Sequence, residues 1–139
     1  METANFPRRA VELGLPRTIT ANDWLITITD YRGEHITPGN KFGRLLYLRF
    51  DDVTEPGENS IQLDQAEAIA QFIREAQQAG VNVWVNCHAG ICRSGAVVRV
   101  LVELGWKYQM ILSPPGIPNT LVYRMIRQQF SELKYSWEE

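Results

Sequence analysis

Residues 81–104 read VNVWVNCHAGICRSGAVVRVLVEL. Val81 to Val85 is β-branched and apolar on nearly every alternate position, which predicts a short strand in the middle of a sheet. Gly95 to Leu104 predicts a buried helix closed by Gly105. The loop between them holds both cysteines of the chain, Cys87 and Cys92, with Arg93 directly after the second. A strand that runs through a short loop into a helix is the building unit of α/β folds.

The flanking sequence extends that pattern. Trp24 to Thr29 is rich in β-branched and aromatic residues and ends at Asp30, so it predicts a strand. Gly33, Pro38-Gly39-Asn40 and Gly43 mark a loop from Tyr31 to Arg44. Leu45 to Phe50 predicts a second strand, which runs into Asp51-Asp52 and the turn-rich VTEPGENS. A helix follows, with Asp64 as its expected cap and Glu67 three residues on. Ile69, Phe72, Ile73 and Ala76 share one face of it, and Gly80 stops it. A last helix is expected from about Asn119 to Phe130, with Leu121, Val122, Met125, Ile126 and Phe130 on one face. Residues 1–20, punctuated by Pro and Arg, predict an irregular lead-in. The expected fold is therefore α/β in one domain spanning residues 1–139. It has a mostly parallel, twisted central sheet of about four to five strands, with helices on both faces. Sites in such sheets lie at the carboxyl ends of strands, where Asp51-Asp52 and Cys87 fall.

A net charge of −2 with scattered basic residues argues against a nucleic-acid partner. No apolar stretch has the length of a membrane span, and the N-terminus lacks the apolar segment of a signal peptide. The expectation is a cytoplasmic protein with no membrane partner. Thiols stay reduced there, so the cysteine pair is poor evidence for a structural disulfide. A zinc site built on Cys87, His88 and Cys92 lacks a fourth ligand and the usual spacing.

The loop suits a different chemistry. Gly90 lets the backbone turn tightly. If the loop curls, the N–H groups of His88, Ala89, Gly90, Ile91 and Cys92 form an anion cradle, reinforced by the following helix. Arg93 can grip two oxygens of a phosphate. A thiol beside a guanidinium and ringed by N–H groups gives up its proton easily, which makes Cys87 the expected nucleophile.

Cys87-His88-Ala89-Gly90-Ile91-Cys92-Arg93-Ser94 resembles the cysteine, five residues, arginine, serine signature of the protein tyrosine phosphatase superfamily. From roughly Trp24 to Phe130 the chain resembles the compact dual-specificity branch. The resemblance implies a cysteine-dependent phosphatase that works through a cysteinyl-phosphate and uses no metal or cofactor. It implies that Asp52 protonates the leaving oxygen, with Asp51 as its rival. Ser94 matches the hydroxyl that hydrogen-bonds the thiolate, and Pro118-Asn119 also looks like the family's. Asn86 departs from the pattern, since the family usually has histidine there. An asparagine could donate similar hydrogen bonds to the loop without carrying charge. The segment from Leu104 to Pro118 looks shorter and more irregular than the family's.

The expected substrate is a phosphorylated protein or peptide, especially at tyrosine. Loop residues 88–92 contain no lysine, which argues against highly anionic inositol or polyphosphate substrates. Two other readings are open. One is a phosphate-binding protein without turnover, against which the presence of Cys87, Arg93 and Asp52 speaks. The other is a redox or arsenate-reducing protein built on the Cys87/Cys92 pair. The order Cys-x4-Cys-Arg-Ser also resembles low-molecular-weight tyrosine phosphatases, and a Cys87–Cys92 disulfide could protect an oxidised Cys87.

Overall fold

The computed structural model describes residues 1–110 and 117–133. In chain order it contains β1 (Glu2–Pro7), α1 (Arg8–Glu12), β2 (Asp23–Thr29), β3 (Arg44–Arg49), α2 (Leu63–Ala79) and β4 (Asn82–Cys87). There follow α3 (Arg93–Glu103), β5 (Lys107–Tyr108), α4 (Thr120–Arg127) and a 3-10 turn at Ser131–Leu133. The five strands form one sheet in the order β3-β2-β4-β1-β5, and every neighbouring pair is parallel. The fold is α/β with helices on both faces, as expected.

β4 is the central strand, and its sequence explains why. Val83, Val85 and Cys87 point to one face and join the core beneath α2, α3 and α4. Trp84 points to the other face, where it packs on Phe6 edge to face with ring centroids 6.0 Å apart. That second core holds Ala10 and Val11 of α1, with Ile36 and Phe42 from the β2–β3 connection. A strand apolar on both sides has no face to offer water, so it takes the middle of the sheet. On the larger face Ile69, Phe72, Ile73 and Ala76 of α2 are buried together, as their spacing required. Among the described residues, no helix is long and apolar enough to cross a membrane.

Several boundaries differ from expectation. Residues 1–20 are not an irregular lead-in: β1 inserts between β4 and β5, in register from Thr3↔Val83 to Pro7↔Cys87. Its alternate residues Thr3 and Asn5 are polar, which hid the strand's apolar half, Ala4 and Phe6. The α2 cap is Gln62, not Asp64. Gln62 donates its backbone N–H to Gln65 Oε1 at 2.9 Å, and Gln65 Nε2 donates to the Arg49 carbonyl at 2.8 Å. One glutamine thus starts the helix and ties it to the end of β3, a double duty a carboxylate cannot perform. α3 begins at Arg93, two residues before Gly95, and α4 ends at Arg127 while Phe130 beyond it stays buried. Of the segment from Leu104 to Pro118, part forms β5, and residues 111–116 lie outside the described residues.

Candidate active site

The carboxyl ends of β1, β2, β3 and β4 bring together Pro7-Arg8, Asp30, Phe50-Asp51-Asp52 and Cys87. The loop from His88 to Cys92 leaves this edge and enters α3. Among the described residues, its carbonyls are all engaged except that of Ala89. Arg8 N donates to the His88 carbonyl at 3.1 Å, and Asn5 Nδ2 donates to the Gly90 carbonyl at 2.6 Å. Gly95 N and Ala96 N donate to the Ile91 and Cys92 carbonyls, each at 3.1 Å, and Asn119 N adds a second bond to Cys92 at 2.9 Å. In a trans peptide the C=O and the following N–H point opposite ways. Carbonyls held against β1, α3 and α4 therefore turn the N–H groups of Ala89, Ile91, Cys92 and Arg93 toward the centre of the loop. Among the described residues, no acceptor meets the backbone N–H groups of residues 88–94.

Gly90 makes the curl possible. Its φ is +73°, and a Cβ placed there would lie 2.2 Å from Pro7 N. The loop presses directly on the backbone of β1, with no room for a side chain.

Cys87 ends β4 and is 2% exposed. Its Sγ lies 3.2 Å from Ser94 Oγ, in the first turn of α3. Cys92 sits differently. Burial pushes its thiol up from the usual cysteine range, and the Asp52 carboxylate and Cys87 push it the same way. Cys92 is thus a neutral thiol at pH 7.

Arg93 is 4% exposed. Its Nη1 donates to Asp30 Oδ1 at 2.9 Å and to the Phe50 carbonyl at 2.8 Å. Its Nε is buried without a partner among the described residues. A buried guanidinium with an unpaired N–H is costly unless an acceptor arrives.

The two aspartates separate. Asp51 is engaged in the loop itself: its Oδ1 accepts Tyr31 N at 3.0 Å, and its N–H donates to the Asn59 carbonyl at 2.8 Å. Asp52 is exposed, accepts Asn119 Nδ2 at 2.7 Å and interacts with the Cys92 thiol. Asp52 is therefore the carboxylate that faces the loop. Asn119 also donates to the Val53 carbonyl at 3.0 Å and caps α4 through Val122 N, so it braces the Asp52 segment against the loop.

His88, Ala89 and Ile91 are exposed at the mouth, while Gly90 is buried beneath it. Asn86 does not do what its position suggested. It is 1% exposed, and neither atom of its amide has a partner among the described residues. It lies one residue before Cys87 and so faces the opposite side of the sheet from the thiol, away from the loop. Sequence reasoning missed Asp30, Asn5 and Tyr108, whose hydroxyl donates to Asn5 Oδ1 at 2.8 Å. Asp30 carried one signal, its position at a strand's carboxyl end. Asn5 carried none.

Backbone N–H groups that meet no acceptor among the described residues, the Arg93 guanidinium, the Cys87 sulfur and the Asp52 carboxylate thus gather at one edge of the sheet. No protein-family model matches the sequence, and comparison with curated proteins finds no match.

Proposed function

We propose that the protein is a cysteine-dependent phosphomonoester hydrolase acting on phosphorylated proteins or peptides, with tyrosine as the favoured residue. The observation that carries this reading is the loop's unmet demand for an anion. Its N–H groups and the buried Arg93 Nε have no acceptor among the described residues, directly beside Cys87. A phosphoryl group supplies three oxygens with the geometry such donors need.

In this mechanism the Cys87 thiolate attacks phosphorus and the P–O bond to the leaving group breaks. Asp52 gives its proton to the departing oxygen. The cysteinyl-phosphate is then attacked by water, whose proton returns to Asp52, and inorganic phosphate leaves. Ser94, 3.2 Å from Sγ, donates to the sulfur and eases its departure in the second step. Arg93 and the loop N–H groups hold charge on the phosphoryl oxygens throughout. Exposed Tyr31, Val53 and Ile91 stand next to Asp30, next to Asp52 and in the loop, and give an aromatic leaving group apolar neighbours.

The test is hydrolysis of p-nitrophenyl phosphate near pH 6, with reductant and EDTA, by the native protein and by Cys87→Ser. Turnover by the native protein alone is expected. Turnover surviving in Cys87→Ser, or absent from both, rejects the reading.

A further inference from the structure

We propose that the cleft at the amino ends of β1, β2 and β4 is a second binding site, which takes a small zwitterion of the apolar amino-acid class. It lies at the opposite end of the sheet from Cys87 and is independent of the phosphatase reading.

The cavity holds about 590 Å³, the size of a small-molecule site. Glu2, Asp23 and Asn82 line it, and they are the first residues of three adjacent strands. The length of β4 from Asn82 to Cys87 separates it from the loop by about 16 Å.

Asp23 is the residue that points to a ligand. It is 4% exposed. Its Oδ1 accepts Trp84 Nε1 at 2.8 Å and Asn82 Nδ2 at 3.0 Å. Its Oδ2 accepts Thr20 N at 2.8 Å and Thr20 Oγ1 at 3.2 Å. Four donors on two oxygens suit a carboxylate, and every one of them is neutral. Among the described residues, no cation pairs with Asp23. Buried carboxylates are ordinarily matched by positive charge. The hydrogen bonds of Asp23 are complete, so the missing partner is a charge rather than a donor.

Glu2 and Arg17 define the ligand's two ends. Both are exposed and line the same cavity, yet among the described residues neither side chain forms an ion pair. A ligand ammonium would hydrogen-bond Glu2 and sit in the field of Asp23. A ligand carboxylate would take the two-pronged grip of the Arg17 guanidinium. Leu15, Pro16 and Trp84 complete the lining and give a hydrocarbon side chain its wall.

The experiment is calorimetric titration of the native protein with L-leucine, L-methionine and L-phenylalanine in turn. The Trp84 indole N–H resonance is followed by NMR alongside. At least one of the three is expected to bind with a Kd of about 1 mM or tighter and to shift that resonance. The same molecule stripped of its carboxylate, or of its amine, is expected to bind about tenfold more weakly. Glu2→Gln and Arg17→Gln are each expected to weaken binding about tenfold with an unchanged melting temperature. Both side chains are exposed, so these variants test the site without the threat to folding that Asp23→Asn carries. No binding of any of the three at about 10 mM overturns the proposal. So does native affinity in both variants, and so does a stripped amine that binds as tightly as its parent.

Discussion

Gly90→Ala is the sharpest test of the loop. Three backbone atoms of β1 lie inside contact distance of the added methyl: Pro7 N at 2.2 Å, Phe6 C at 2.4 Å and Phe6 O at 2.7 Å. None belongs to a side chain that could swing away. To reach ordinary contact at 3.4 Å the loop must retreat from β1 by about 1.2 Å. The positive φ of 73° adds a further conformational cost of about 1–2 kcal/mol for any residue with a Cβ. Retreat also stretches the Asn5–Gly90 and Arg8–His88 bonds that hold the carbonyls. The N–H groups then lose their common focus. A displacement of about 1 Å in a positioning element costs roughly a hundredfold in rate. The expected result is a fall of about a hundredfold in kcat/KM for p-nitrophenyl phosphate, with about 2–4 kcal/mol lost from urea unfolding. Gly57→Ala is the control, because nothing lies within 4 Å of its Cβ position. It should change neither quantity measurably. A Gly90→Ala protein within about threefold of native activity would show that the loop is not held as described, and the argument from its carbonyls would fail.

Three further outcomes follow from the same geometry. Asp52→Asn should lower kcat by about a hundredfold or more, while Asp51→Asn changes it far less, because only Asp52 faces the loop; equal losses in steady-state kinetics would contradict the assignment. Iodoacetate at pH 7 should modify Cys87 ahead of Cys92, and inorganic phosphate should protect, since burial and Asp52 keep Cys92 protonated; peptide mass spectrometry showing Cys92 labelled first refutes this. Asn86→Leu should raise stability in urea by about 1–2 kcal/mol, because it replaces a buried amide that has no partner with an apolar group of similar size; a lower urea midpoint would mean that the amide is satisfied in solution.

Much of the fold was legible because its signals are local. β2, β3 and β4 are runs of β-branched and apolar residues. α2 shows its buried face in Ile69, Phe72, Ile73 and Ala76. The loop was legible for a chemical reason: cysteine, glycine and arginine fall within seven residues of one another. What spans the sheet was not legible. Asp30 and Arg93 are 63 residues apart in sequence, and only the parallel pairing of β2 with β4 brings their ends together. No pattern along a chain encodes such a pair. The capping of α2 was misread for a related reason, since Gln65 is placed by the Arg49 carbonyl of a different element.

The missed strand shows how closely site and fold are joined here. β1 is flanked by β4 and β5, and an interior parallel strand ordinarily reads as an apolar run. ETANFP does not, because only Ala4 and Phe6 serve the core. By alternation Thr3 and Asn5 face the opposite side, where β1 meets α3. Asn5 uses both ends of its amide, donating to the Gly90 carbonyl and accepting from the Tyr108 hydroxyl. Tyr108 lies in β5, the neighbour of β1 on its other edge. The loop's curvature therefore depends on a hydrogen-bonded chain from β5 through β1 to Gly90. A valine at position 5 would read better as strand and would leave the Gly90 carbonyl unheld. Asn5, one of the polar residues that make β1 look irregular, is the one that holds the Gly90 carbonyl, so the reading failed at a strand whose composition answers to the loop as well as to the core.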